Sequence, residues 1–176
     1  MDGRKWFASV PKAMEGLLAA EIKSLGGENV KETLAGVYFD GTLEVAYRVI
    51  LWSRLASRIL MPITSFDATD RETLHGNVKD YPWEKHFSSS MTFAVRSNSK
   101  GSQLTHSEFI NRVVKDGVVD RFRDREGVRP SIDRANPAIQ IHCRIKKDVA
   151  DLSIEMTRGV LHRRGYRTEQ GMAPLR

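Results

Sequence analysis

The spacing of apolar residues switches repeatedly between a period of two and a helical period over the first sixty residues. Lys5-Trp6-Phe7-Ala8-Ser9-Val10 reads as a strand that stops at Pro11, and Pro11 is expected in the first turn of the next helix, where its missing N–H is unpaired in any case. Met14, Leu17, Leu18, Ile22 and Leu25 then recur at helical spacing until Gly26-Gly27. Strands are predicted over Asn29 to Leu34 and Val37 to Phe39, turning at Ala35-Gly36. A second helix carries Leu43, Ala46, Tyr47, Ile50 and Leu51, and Ser57 to Thr64 alternates as a strand with Ile59, Met61 and Ile63 on one face. Strand, helix, strand, strand, helix, strand is the ferredoxin-like order, which places both helices on one side of an antiparallel sheet.

From Asp67 to Pro82 the chain is polar and turn-rich, which predicts a boundary or an elaborated connection. Short helical pieces are expected around Arg71 to Asn77 and Tyr81 to Phe87, with Leu74, Val78 and Trp83 inward. Met91 to Arg96 alternates as a strand, and Ser97 to Ser102 reads as a polar loop. Thr105 and Glu108 have the spacing of a reciprocal helix cap, opening a helix whose stripe is Ile110, Val113, Val114, Gly117, Val118 and Phe122, and which ends at Gly127 and Pro130. Ala138 to Ile145 and Val149 to Met156 form a hairpin around Lys146-Lys147-Asp148, with Ile139, Ile141, Cys143 and Ile145 on one face and Gln140, His142 and Arg144 on the other. The fold class is therefore α/β (α+β), in two units.

Composition narrows the function. The chain has 176 residues and a formal charge of +6, and no apolar run approaches the roughly 20 residues that cross a bilayer. With no apolar leader at the start, a cytoplasmic setting without a membrane is expected. Residues 1–65 hold eight Lys and Arg against seven acids, leaving twenty against fifteen for residues 66–176, so an electrostatic face belongs mainly to the second part. Arg158 to Arg176 alone has five arginines against one acid, Glu169.

Catalytic motifs are not apparent. No Gly-x-Gly-x-x-Gly follows the first strand, no phosphate-loop lysine is present, and the five histidines never form a close pair, so neither a cofactor nor a metal is expected. The single cysteine, Cys143, falls on an isoleucine-rich strand face and reads as a core thiol. Trp6, Trp52 and Trp83 lie within predicted elements and read as core. Basic groups make the better candidates. Arg163, Arg164 and Arg167 surround Tyr166 and combine phosphate-binding forks with a stacking ring; the same segment could also be a solvated arm that neutralises acids on its own fold. Arg112 and Lys115 lie three apart on one helix face, with Glu108 and Asp116 near enough to pair with them. Lys100 in the Ser-rich loop, Arg129 and Arg134 are weaker candidates, and Lys146-Lys147 reads as solubility charge at a turn.

Leu161-His162-Arg163-Arg164-Gly165-Tyr166-Arg167 with Ala173-Pro174-Leu175 resembles the segment that joins the THUMP domain to the methyltransferase domain in bacterial ribosomal RNA guanine-N2 methyltransferases of the large-subunit K/L type. The resemblance extends along the chain, through Phe7-Ala8, Leu51 to Ile59, Lys115-Asp116 with Val119-Asp120 and Phe122, and Pro130, Asp133-Arg134 and Pro137. Ala13-Met14-Glu15 stands where Gly-Leu-Glu is more usual, and Gly117 where alanine is.

The resemblance implies a ferredoxin-like subdomain over residues 1–65, a THUMP domain over 66–160 whose pattern begins as early as residue 43, and a basic linker over 161–176. It implies RNA contact through Arg112, Lys115, Arg163, Arg164, Arg167, Tyr166 and Lys100. The partners would be a structured, hairpin ribosomal RNA and a downstream methyltransferase domain that carries S-adenosylmethionine; the chain by itself would be non-catalytic. A tRNA methyltransferase, a thiouridine synthase or a protein-interaction or dimerisation module are the alternatives.

Overall fold

A computed structural model describes residues 3–163. Two compact units divide the described chain, one formed by residues up to Pro62 together with those from Glu155 on, the other by Ile63–Ile154.

The first unit contains β1 (Arg4–Ser9), α1 (Glu15–Ser24), β2 (Glu28–Thr33), β3 (Gly36–Gly41), α2 (Leu43–Trp52) and the first half of β4 (Arg58–Asp67). Its strands lie in the order β2-β3-β1-β4, with β3 and β4 both antiparallel to β1. Alternation places Trp6 and Ala8 of β1 inward with Val37, Phe39 and Ile59, and Leu18, Ala19, Ile22, Ala46 and Val49 of the two helices close the core. Burying Trp6 leaves no orphan donor, because its indole N–H donates to the Gly41 carbonyl at 2.9 Å.

Three expectations fail here for local reasons. Pro11 does not enter α1; Met14 N–H donates to the Pro11 carbonyl at 3.3 Å, Ala13 adopts φ 69°, and the helix begins only at Glu15. A side chain in the left-handed region at Ala13 costs roughly 1–2 kcal/mol relative to the same residue in the ordinary regions, a cost that glycine would not carry. Glu15 is drawn away from helix capping because its carboxylate accepts from the Ala35 N–H at 2.8 Å, and backbone donors, its own first and then that of Ala35, hold its carboxyl below the usual range. Second, α2 buries Ala46 and Val49 but leaves Leu43, Tyr47 and Leu51 exposed, as α1 leaves Leu17. Third, Trp52 is 70% exposed, whereas Trp6 and Trp83 are fully buried.

The second unit contains the rest of β4, α3 (Arg71–Asp80), a single 3₁₀ turn (Trp83–Lys85), β5 (Phe93–Lys100), α4 (Ser107–Glu126), β6 (Ile139–Lys146) and β7 (Val149–Glu155), which passes into the first unit at its last residue. Its strand order is β4-β7-β6-β5; β6 pairs antiparallel with β7 and parallel with β5. Leu74, Val78, Trp83, Phe93, Ile110, Val114, Val118, Phe122, Ile141 and Ile145 form the core between the helices and one sheet face. Asp70 caps α3 through the Thr73 N–H at 2.8 Å, and Gly127, at φ 70°, caps the end of α4.

The anticipated Thr105–Glu108 cap does not form: α4 starts after His106 with no side-chain cap, and Glu108 instead accepts from Asn111 Nδ2 at 3.4 Å. Nor is Ser97 to Ser102 a loop. β5 runs on to Lys100 because β6 supplies a register partner for each residue up to Lys146, while the Ser97 and Ser99 hydroxyls donate to the Ser107 and Leu104 carbonyls.

A Cβ at Gly117 would stand 2.8 Å from Val78 Cγ1 and 3.1 Å from the His75 carbonyl oxygen, so α3 and α4 approach over a bare glycine. Gly117→Ala gains about 1 kcal/mol of helix propensity but overpacks the contact by about 1–3 kcal/mol. A net loss of about 1 kcal/mol is expected, read as a lower urea midpoint. Glu84 accepts from Arg121 at 2.7 and 3.2 Å and faces Arg125 at 2.8 Å; the Arg121 hydrogen bond, chiefly, draws its carboxyl from 4.5 down to about 2. A depressed carboxyl contributes stability that is present above pH 4.5 and lost as the pH falls through about 2. The urea midpoint should fall across that window, and less so in Glu84→Gln.

Candidate nucleic-acid interface

Where β5 meets the start of α4, the second unit opens a groove of about 400 Å³. Four cations line it: Arg96 from β5, Arg112 and Lys115 from successive turns of α4, and Arg134 from the segment before β6. Glu108 is the lining acid, 4.0 Å from Arg134. Lys115 reaches Asp116 at 2.5 Å, whereas Arg96 and Arg112 form no ion pair among the described residues. Ser107 and Glu108 of the first helical turn also line the groove, so uncapped amides and the positive end of the helix dipole add to its potential.

The other end of α4 is a contrast. Arg121 and Arg125 share Glu84, Arg123 lies 2.9 Å from Asp120, and Lys79 lies 2.6 Å from Asp124. Those cations are neutralised within the fold. The groove cations that stand outside any ion pair among the described residues, Arg96 and Arg112, lie at the N-terminal half of α4.

Parallel pairing assembles a second basic surface on the sheet face turned away from the core. Its register sets Arg96 beside His142, Asn98 beside Arg144 and Lys100 beside Lys146, with Arg96, Lys100, Arg144 and Lys146 all exposed. Lys147 joins them, its N–H donating to the Lys100 carbonyl at 3.3 Å.

The structure therefore brings Arg112 and Lys115 together as expected, adds Arg96 to them, and promotes Arg134. It places Lys100 apart from that groove, at a strand end rather than in a loop, among lysines 46 residues away that read as solubility charge. Arg96 and Arg144 were legible only as polar positions in alternating strands. Arg163 is exposed; Arg164, Tyr166 and Arg167 lie outside the described residues.

Among the described residues no group of three or more His, Cys, Asp or Glu could hold a metal, and no helix is long and apolar enough to cross a membrane. Cys143 is 1% exposed, and burial, reinforced by Asp151, pushes its thiol up to about 12.

The sequence pattern of the RlmL ferredoxin-like domain matches residues 5–60, and that of the THUMP domain matches residues 68–155. The chain belongs to the THUMP domain family. It matches the N-terminal region of the bacterial K/L-type enzymes: it is 49% identical over 98% of its length to the ribosomal RNA large subunit methyltransferase K/L of Syntrophotalea carbinolica, and 46% identical, again over 98%, to that of Methylococcus capsulatus. The chain spans about a quarter of those relatives' length, 24% and 23%. Among solved structures it resembles that of a predicted N6-adenine-specific DNA methylase from Listeria monocytogenes str. 4b F2365, with a TM-score of 0.87 and 30% identity, over 99% of this chain and 46% of that one. The fold class is thus a ferredoxin-like domain followed by a mixed α/β THUMP domain.

The buried thiol gives a direct check of this packing. Cys143 should resist an aromatic disulfide reagent at pH 8 in the folded chain and react at once in 6 M guanidinium, because only the thiolate attacks. Fast reaction in native buffer would mean that the β6 face is open.

Proposed function

We propose that this chain is the RNA-binding, substrate-positioning region of a 23S ribosomal RNA guanine-N2 methyltransferase and is non-catalytic on its own. The observation that carries the reading is the groove in which Arg96, Arg112, Lys115 and Arg134 converge on the THUMP domain with a single lining acid. Guanidinium forks there meet phosphate oxygens, which fixes the register and orientation of the RNA without reading its bases. A structured, hairpin ribosomal RNA is the partner, recognised by shape and backbone in a cytoplasmic setting. In this reading residues 1–65 form the ferredoxin-like subdomain, 66–160 the THUMP domain and 161–176 a basic connection whose Arg163, Arg164, Tyr166 and Arg167 add to the same attraction, as Lys100 does from the sheet.

Methyl transfer belongs to the region that follows in the longer relatives, where S-adenosylmethionine supplies the methyl group. The connection from β1 to α1 does not fit that cofactor. β1 runs into Val10-Pro11, and the first turn of α1 carries Glu15, whose carboxylate takes the Ala35 amide. A helix start of this kind presents negative charge where a nucleotide-binding βα unit presents free amides.

DNA is the second reading, favoured by the designation of the Listeria structure. Fluorescence anisotropy with a 23S hairpin, a tRNA and a DNA duplex separates the two. The hairpin should bind best, and Arg112→Ala with Lys115→Ala and Arg134→Ala should weaken binding and flatten the log–log salt slope by about 2–3. An unchanged slope with a native circular dichroism spectrum would remove the groove from the interface, and a preference for DNA would overturn the RNA assignment.

A further inference from the structure

We propose that the C-terminal end of α2 is a stacking site for an unpaired RNA base, with Trp52 as the platform and Arg54, His162 and Arg163 holding the adjoining backbone. The proposal deepens the RNA-binding reading and rests on it.

An exposed tryptophan is the starting point. Trp52 is 70% exposed while the other two tryptophans are fully buried, so the first unit withholds from its core the side chain with most to gain from burial. Its setting is rigid. The Ser53 hydroxyl donates to Glu21 Oε2 at 2.5 Å and accepts from the Leu55 and Ala56 N–H groups at 3.3 and 2.9 Å, and Glu21 Oε1 accepts from the Arg54 N–H at 3.0 Å. This network fixes the turn directly after Trp52, so little freedom remains to be lost when a flat ligand settles on the ring.

The ring borders a groove of about 590 Å³ lined also by Leu51, Arg54, Leu161 and His162, a volume in the range of small-ligand sites. Leu161 is held there by its N–H, which donates to the Ser57 carbonyl at 2.8 Å, and by packing on the core. His162 and Arg163 follow it, both exposed. The Arg54 side chain is 91% exposed, and its nearest acid, Glu21, is 3.7 Å away, 12% exposed and already engaged by Ser53 and the Arg54 amide.

An apolar floor with one large ring and a cationic rim matches a nucleotide: the base stacks and the phosphate meets the guanidinium. A purely apolar protein surface would leave Arg54, His162 and Arg163 without a role. Stacking reads no sequence, so the ligand class is single-stranded RNA of any composition, with uridylate as the simplest probe.

The chain's own fluorescence gives the test, because Trp52 is the tryptophan open to a ligand. Titrating the 176-residue chain with a short oligouridylate should quench its emission, and Trp52→Phe should remove the quench while keeping most of the affinity. Trp52→Ala should lower affinity for the oligouridylate about tenfold and leave that for a perfectly paired RNA duplex unchanged. The variant lacking Arg112, Lys115 and Arg134 should bind more weakly yet quench to the same extent at saturation. Binding by anisotropy without quenching would overturn the stacking site and leave the groove reading intact. Absence of any RNA binding would overturn both. A change in Trp52 emission that grows with protein concentration and ignores RNA would overturn the proposal by assigning the surface to a second copy of the chain. Because the ring lies outside the core, both substitutions should melt with the parent, which circular dichroism checks.

Discussion

Two backbone hydrogen bonds decide where the first unit's exposed chemistry stands: Met156 N–H to the Ile59 carbonyl at 2.9 Å, and Leu161 N–H to the Ser57 carbonyl at 2.8 Å. They return the chain, after the whole second unit, to the strand from which it left. An ion pair with a half-buried arginine reinforces the return. Glu155, 3% exposed, faces Arg58 Nε at 3.3 Å and accepts from the Thr157 hydroxyl at 3.1 Å. Through this return Leu161 and His162 line the same groove as Trp52 and Arg54, which stand far earlier in the sequence. The basic C-terminal segment therefore starts from a fixed point on the first unit.

Most of the architecture was legible because its signals are local. The switch between periods of two and of about four placed the strands and helices of the first unit, and the core of the second followed from the stripe Ile110, Val113, Val114 and Phe122. Local signals misled where another group, near or distant in the chain, competed for the same atoms. Glu15 had an amide at Ala35 to satisfy, Ser97 and Ser99 had β6 and the start of α4, and Glu108 had Asn111. Trp52 fits the helical pattern of α2, yet Ala46 and Val49 already fill the space against the sheet, so hydrophobicity alone could not say which apolar residues face in.

The candidate interface was half legible for a related reason. Arg112 and Lys115 share a helix face by spacing, which sequence reveals. Arg96, Arg144 and the pairing of Lys100 with Lys146 depend on a parallel register across 46 residues, which sequence does not reveal. The hairpin and its polar face were readable, but not the strand that extends that face. Lys146 and Lys147 look like ordinary turn charge until β5 is laid beside them.

Charge count by itself would have pointed equally to both ends of α4. Pairing separates them. The arginines of its last turns lie against Glu84, Asp120 and Asp124, and the depressed carboxyl of Glu84 records how strongly that end is committed to its own fold. At the other end Arg96 and Arg112 keep their hydrogen-bonding capacity, and the uncapped first turn of the helix leaves further donors beside them. A phosphate arriving at the C-terminal half would have to displace a carboxylate; at the N-terminal half Lys115 and Arg134 face Asp116 and Glu108, but Arg96 and Arg112 stand outside any ion pair among the described residues. The division of the helix into two halves follows from where the acids sit: Glu84, Asp120 and Asp124 hold the cations of the C-terminal half, whereas Asp116 and Glu108 reach only Lys115 and Arg134 at the groove.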